Sequence, residues 1–241
     1  MSNVMLIARR ELAGYVRTPS GYLIAAAVLL INGLFFNAFA MGTGAKLSSQ
    51  VLQDFFYFSS GTTMIAAILL SMRLLAEEKQ SGTMVLLYTS PVREWQIVAG
   101  KFISALIFLS GITLLTLYMP ALIFVNGKVS IGHIGAGYLG LFLLGGAALS
   151  IGVLGSALGR NQLTAGVISA AILVTLLLCW LLAARSDPPL KAVLSHLAIW
   201  QQHFQPFMRG FFQLSSVVFL VSVMYAALFA ATRVLQSQRW G

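Results

Sequence analysis

"IGAGYLGLFLLGGAALSIGVLGSAL", residues 134–158, contains no charged side chain. A helix needs about 20 mainly apolar residues to cross a bilayer's hydrocarbon core, so this run is long enough to span with some tilt. Similar runs recur on both sides of it, and the spacing predicts six spans at roughly 22–41, 55–75, 101–125, 134–158, 163–184 and 214–232. All six must be helices, because lipid offers backbone N–H and C=O groups no partners. Of 241 residues, 59% are hydrophobic and 9% charged, with a mean hydropathy of +0.89. Too few polar residues remain to cover a water-exposed surface, so one all-α integral membrane domain is expected over residues 1–241. The first run is too long for a cleavable signal and lacks a small-residue cleavage site before Lys46, so it is expected to stay in the mature chain.

Lys and Arg are retained preferentially on the cytoplasmic side of a membrane. Six spans put both termini on one side, with Arg9, Arg10, Arg17, Arg73, Lys79, Arg93, Lys101, Arg160, Arg233 and Arg239. The other side has Lys46, Lys128, Arg185, Lys191 and Arg209. Ten against five predicts cytoplasmic termini. The net charge of +9 then reads as a topology signal with attraction to anionic lipid, and nucleic-acid binding is not expected. The single Cys179 lies inside a span and excludes an internal disulfide.

Before the first span, Met5, Ala8, Leu12 and Tyr15 recur on one helical stripe, which predicts an amphipathic helix on the inner membrane surface over residues 1–20. Thr18-Pro19-Ser20-Gly21 breaks it and turns the chain into the bilayer. Between spans two and three lies the most highly charged stretch, "RLLAEEKQSGTMVLLYTSPVREWQIVAGKF" (73–102). Gly82 ends the descending helix and Ser90-Pro91 disfavours continuation, leaving residues 83–89 as a short helix. Met84, Leu86, Leu87 and Tyr88 make it too apolar for water. Either the membrane surface or a groove on a soluble protein must cover it, and the acidic approach of Glu77 and Glu78 favours the protein.

In the fourth span Gly145, Ala148, Gly152, Gly155 and Gly159 form a stripe that admits a close neighbour, expected within the chain. Between spans five and six, residues 188–212 form a re-entrant or interfacial helical hairpin facing outward. Val193, Leu197, Trp200 and Phe204 are expected on one stripe, with Pro206 as the break. This hairpin serves as an anchor or as a lid. Asn32 and Asn37 are candidates for hydrogen bonds between spans. His133, His196 and His203 lack the Cys or acidic partners of a metal site. "GTGAKLS" (42–48) lacks phosphate-loop spacing and faces away from the cytosol, and no catalytic grouping of an enzyme is present.

The amphipathic start, six spans, acidic and apolar segment and outer hairpin together resemble an ABC transporter permease of the ABC-2 exporter type. "IARREL" (7–12), "AEEKQSGTMVLLYTSPVREWQIVAGKF" (76–102), "HFQPFMRG" (203–210) and "SQRW" (237–240) make the chain similar to the gliding-motility-associated permease branch. The resemblance implies a bacterial inner-membrane protein that binds no cofactor itself. Its partners would be two copies of a cytoplasmic ATPase, which hold ATP and Mg, and a second permease copy or a related permease with an extracytoplasmic domain. It also implies that residues 77–90 are the coupling helix, with Glu77, Glu78, Met84, Leu86, Leu87 and Tyr88 in the ATPase cleft. The outer segment, with Leu197, Trp200, Phe204 and Pro206, would be a gate. Two functions follow: export of a lipid, polymer or peptide, or transmission of ATPase motion to a periplasmic partner without transport.

Overall fold

The computed structural model describes residues 3–41, 47–84, 92–126 and 130–240, and among these there is no strand. Helix α1 (Asn3–Arg17) is separated from α2 (Pro19–Phe35) by Thr18, which is extended at φ −98° and ψ 143°. Pro19 opens α2 because the first turn of a helix needs no N–H donor there. A π-helical turn, Phe36–Met41, ends this first span. Helix α3 (Ser48–Ser71) descends to an irregular bend at residues 72–75, followed by the short α4 (Ala76–Gln80).

Helices α5 (Glu94–Leu115) and α6 (Tyr118–Asn126) make up the third apolar segment, α7 (Ile131–Leu158) the fourth and α8 (Gln162–Ala183) the fifth. The break between α5 and α6 was not expected within 101–125. Pro120 has no N–H to donate to the Thr116 carbonyl, so the α ladder cannot continue there. Thr116 Oγ1 instead bonds the Thr113 carbonyl at 2.6 Å and the Tyr138 hydroxyl at 3.0 Å. On the side away from the termini come α9 (Leu190–Leu197), a π-helical turn (Ile199–Phe204) and α10 (Gln205–Met208), before the final α11 (Leu214–Trp240).

Six helical segments are long and apolar enough to cross a membrane: Pro19–Phe39, Ser48–Gln80, Glu94–Ile123, Ile131–Leu158, Gln162–Ala183 and Leu214–Gln238. Each overlaps one predicted run. Burial separates them: 83% of the apolar window of Ile131–Leu158 is inside the protein, against 17% for the first segment and 22% for the fifth and sixth. Helix α7 is therefore the hub. Its glycines explain why: Gly152 lies against Ser71, Gly155 against Ser169, and a Cβ on Gly159 would sit 2.7 Å from the Ala165 backbone. Without side chains at these points α3 and α8 approach closely, and dispersion between backbones replaces the hydrophobic drive that lipid does not supply.

Polar side chains fasten the first span to the second. Asn32 is buried, donates to the Val28 carbonyl and accepts at Oδ1 from Ser59 and Thr62, all at 3.0 Å. Asn37, expected in the same role, is exposed in the π-helical turn.

Candidate functional site

At the end where both termini lie, the bend after α3 meets three other elements. The N–H groups of Leu75 and Ala76 would be left unsatisfied by the bend, and both donate to Ser156 Oγ of α7 at 3.0 Å. Lys79 then donates to the carbonyls of Ala157 and Gly159, placing a cation at the negative end of α7.

Glu78, one residue earlier, points the other way. Its Oε1 lies 2.9 Å from Lys101 Nζ of α5, and the same ammonium is 3.2 Å from Glu11 of α1. Arg10 closes the cluster at 3.0 Å from Glu11 and 3.8 Å from Glu78. Lys101 is 2% exposed, and an ammonium buried to that degree costs several kcal/mol unless paired. The two carboxylates supply that pairing and join α1, α4 and α5 through one cation. Glu77 is half-exposed and, among the described residues, pairs with Arg73, one turn back, at 3.1 Å. A polar hollow of about 340 Å³ borders the cluster, lined by Tyr15, Arg73, Glu77, Glu78, Thr83 and Lys101. Burial raises the Tyr15 phenol pKa above its usual value, with Glu11 adding to the effect, and the neutral hydroxyl donates to the Leu70 carbonyl.

These contacts change the reading of three residues. Glu78 is taken up inside the chain, where it shares the Lys101 ammonium with Glu11. Met84 is already buried by this chain. The apolar stripe expected on α1 divides: Met5 is 54% exposed, whereas Ala8 and Tyr15 join Ile7 and Glu11 on a face packed against α5 and α3. Leu86, Leu87 and Tyr88 lie outside the described residues.

Sequence reasoning missed Lys101, Glu11 and Ser156. The signal for the first two was present, since a lysine entering an apolar helix requires a counter-ion and Glu11 interrupts the apolar face of α1. Ser156 carried none.

On the opposite side, residues 190–208 do not form one surface helix broken at Pro206. The break falls at Ala198, at φ −72° and ψ 89°, and Pro206 lies at the start of α10, where proline is accommodated. Helix α9 has no buried residue, whereas Ile199, Phe204 and Phe207 are fully buried at the end of the bundle. The intervening π turn shifts the register, so the expected stripe divides: Val193 and Leu197 are exposed, Trp200 half-buried and Phe204 enclosed. His133 Nε2 donates to the Met208 carbonyl at 2.9 Å, and His203 Nε2 to that of His196 at 3.0 Å. Both rings hold this segment in place, and among the described residues no group of His, Cys, Asp and Glu could hold a metal.

Trp200 Nε1 donates to Ser60 Oγ of α3 at 2.9 Å, and its ring meets Tyr57 edge-on at 5.4 Å. Beneath it opens an apolar cleft of about 650 Å³ between α2, α3 and α8, lined by Ile31, Phe35, Gly61, Ile65, Leu177 and Trp180 among others. Its size and lining suit an apolar guest.

No curated protein matches the chain. The family model for ABC-2 family transporter protein matches residues 5–238, from the first turn of α1 to the last turns of α11. That match and the six apolar helices make this a multi-pass membrane protein, the membrane component of a transporter, from a family whose members associate with an ABC ATPase. The chain belongs to the ABC-2 transporter family and is a permease of an ABC transporter.

Proposed function

We propose that the chain is the permease subunit of an ATP-driven exporter in a bacterial inner membrane, with both termini in the cytoplasm. The Lys and Arg asymmetry supports that orientation. Residues 1–241 act as one transmembrane domain, in which 1–20 is interfacial, 77–90 couples to the ATPase and 188–212 forms the outer gate. Two ATPase copies, holding ATP and Mg, receive Leu86, Leu87 and Tyr88 in apolar grooves. The permease pairs with a second copy or with a related permease carrying an extracytoplasmic domain. The stretches quoted from 76–102 and 203–210 support the gliding-motility-associated branch.

The observation that carries export is the apolar cleft beneath Trp200, between the first, second and fifth spans. A lipid, or the apolar part of a polymer or peptide, fits such a lining. Transmission of motion to a periplasmic partner requires no cleft. The ion cluster at Lys101 supplies the mechanical link, because a displacement of residues 77–90 pulls on α1 and α5 together.

Co-purification of the ATPase, then ATP turnover and crossing of a labelled phospholipid in reconstituted vesicles, tests this function. Leu87→Asp should lose the ATPase, since it places a carboxylate in an apolar groove. Full partner recovery and turnover in that variant would remove the coupling role from 77–90. Turnover that a periplasmic partner stimulates, with no phospholipid crossing, would favour mechanical transmission over export.

A further inference from the structure

Among the described residues, one face of α1 packs within the chain. Ile7 lies so close to α5 that a Cβ on Gly100 would meet it at 2.8 Å, Glu11 pairs with Lys101, and Tyr15 stacks on Phe108 at 5.0 Å. With 3.6 residues per turn, the opposite face carries Leu6, Arg9, Ala13, Val16 and Arg17, with Arg10 at its edge. A shallow depression of about 510 Å³ runs along it, between Leu6, Arg9, Arg10, Ala13, Gly14 and Arg17.

The chemistry of this face suits neither bulk phase. Leu6 and Val16 are 52% and 50% exposed, which disfavours water. Three guanidinium groups exclude hydrocarbon. Arg10 is turned towards Glu11, but no carboxylate lies within ion-pair distance of Arg9 or Arg17 among the described residues. Glu11, the single acid of α1, faces away. The layer that accepts cations beside apolar groups is the headgroup region, where arginine reaches phosphate while neighbouring side chains enter the first methylenes. Depth agrees, because Arg17 stands two residues before Pro19, the first residue of the first apolar span.

We infer that the outer face of α1 binds anionic phospholipid, with Arg9 and Arg17 on the phosphates and Leu6 and Val16 against the upper acyl chains. Because the inner face holds Lys101 through Glu11, bound lipid also steadies the ion cluster.

The full chain in nanodiscs of phosphatidylcholine, with and without phosphatidylglycerol, supplies the test through hydrogen exchange of the α1 amides. A base near an anionic surface contributes about fivefold in affinity, so two should slow α1 exchange by up to roughly 25-fold when phosphatidylglycerol is added. The effect should vanish in Arg9→Gln/Arg17→Gln, persist in Arg9→Lys/Arg17→Lys, and persist in Arg233→Gln, which removes a base from another helix. Unchanged α7 exchange reports an intact fold; if the Gln pair disturbs it, raised salt should abolish the wild-type effect instead. Equal α1 protection in both lipids overturns the inference, as does a phosphatidylglycerol effect that survives the Gln pair in an intact fold or raised salt. Both nanodisc leaflets are alike and no ATPase is present, so the outcome is independent of orientation and of transport.

Discussion

Lys101 Nζ lies 2.9 Å from Glu78 Oε1, joining the third apolar segment to the approach of the proposed coupling stretch, 23 positions earlier in the chain. Both side chains are largely buried, at 2% and 16% exposure. Removing one partner of a buried pair strands the other, at about 3–5 kcal/mol. Lys101→Met should therefore destabilise the protein by about 3 kcal/mol, towards the low end because Arg10 remains near both carboxylates. Adding Glu78→Gln should recover part of the loss, measured as a positive coupling in a double-mutant cycle of unfolding midpoints. Additive losses would mean that the pair contributes nothing.

The hub helix should resist enlargement at its contacts and tolerate it elsewhere. Gly159→Ala places a methyl group 2.7 Å from the Ala165 backbone and is expected to cost about 1–3 kcal/mol as overpacking. Gly135→Ala, where a Cβ meets nothing within 4 Å, should be neutral or slightly stabilising. Thermal unfolding of both variants in one detergent compares them directly.

Gly61 lines the apolar cleft, and a side chain there would project into open space. Gly61→Leu should thus fill the cleft without disturbing the fold, reducing transport by tenfold or so while ATPase recovery stays at the wild-type level. Normal export by this variant would exclude the cleft from the path.

The outer segment should loosen in acid. His203 stacks on Phe219 at 3.8 Å, and its Nδ1 is buried without a partner among the described residues. Burial lowers its pKa below the ordinary imidazole value, outweighing the opposite effect of the His196 carbonyl. The unfolded segment then binds the proton more readily, so this contribution to stability is complete above about pH 6.5 and declines as pH falls towards the lower folded value. The unfolding midpoint should drop between about pH 7 and pH 5, and His203→Gln should flatten that slope. An unchanged slope would place the pH response elsewhere.

Much of the membrane architecture was legible before any contact was known. An apolar run of about 20 residues states its own fate, because leaving water and satisfying the backbone within one helix are local properties of the run. Pro19 and Gly82 were equally legible: one opens a helix and the other adopts φ +72°, each through the covalent geometry of a single residue. The arginines of α1 could be counted, yet periodicity did not reveal which face would be covered. Tertiary packing decided that Ile7, Glu11 and Tyr15 turn inward, that Trp200 meets Ser60 across 140 positions, and that the outer helix breaks at Ala198 rather than at Pro206. A pattern of side chains specifies faces but not partners. Partners are fixed when α7, with glycines at its contacts, lets α3 and α8 approach, and a buried ammonium must then find its carboxylates among whatever that packing places nearby.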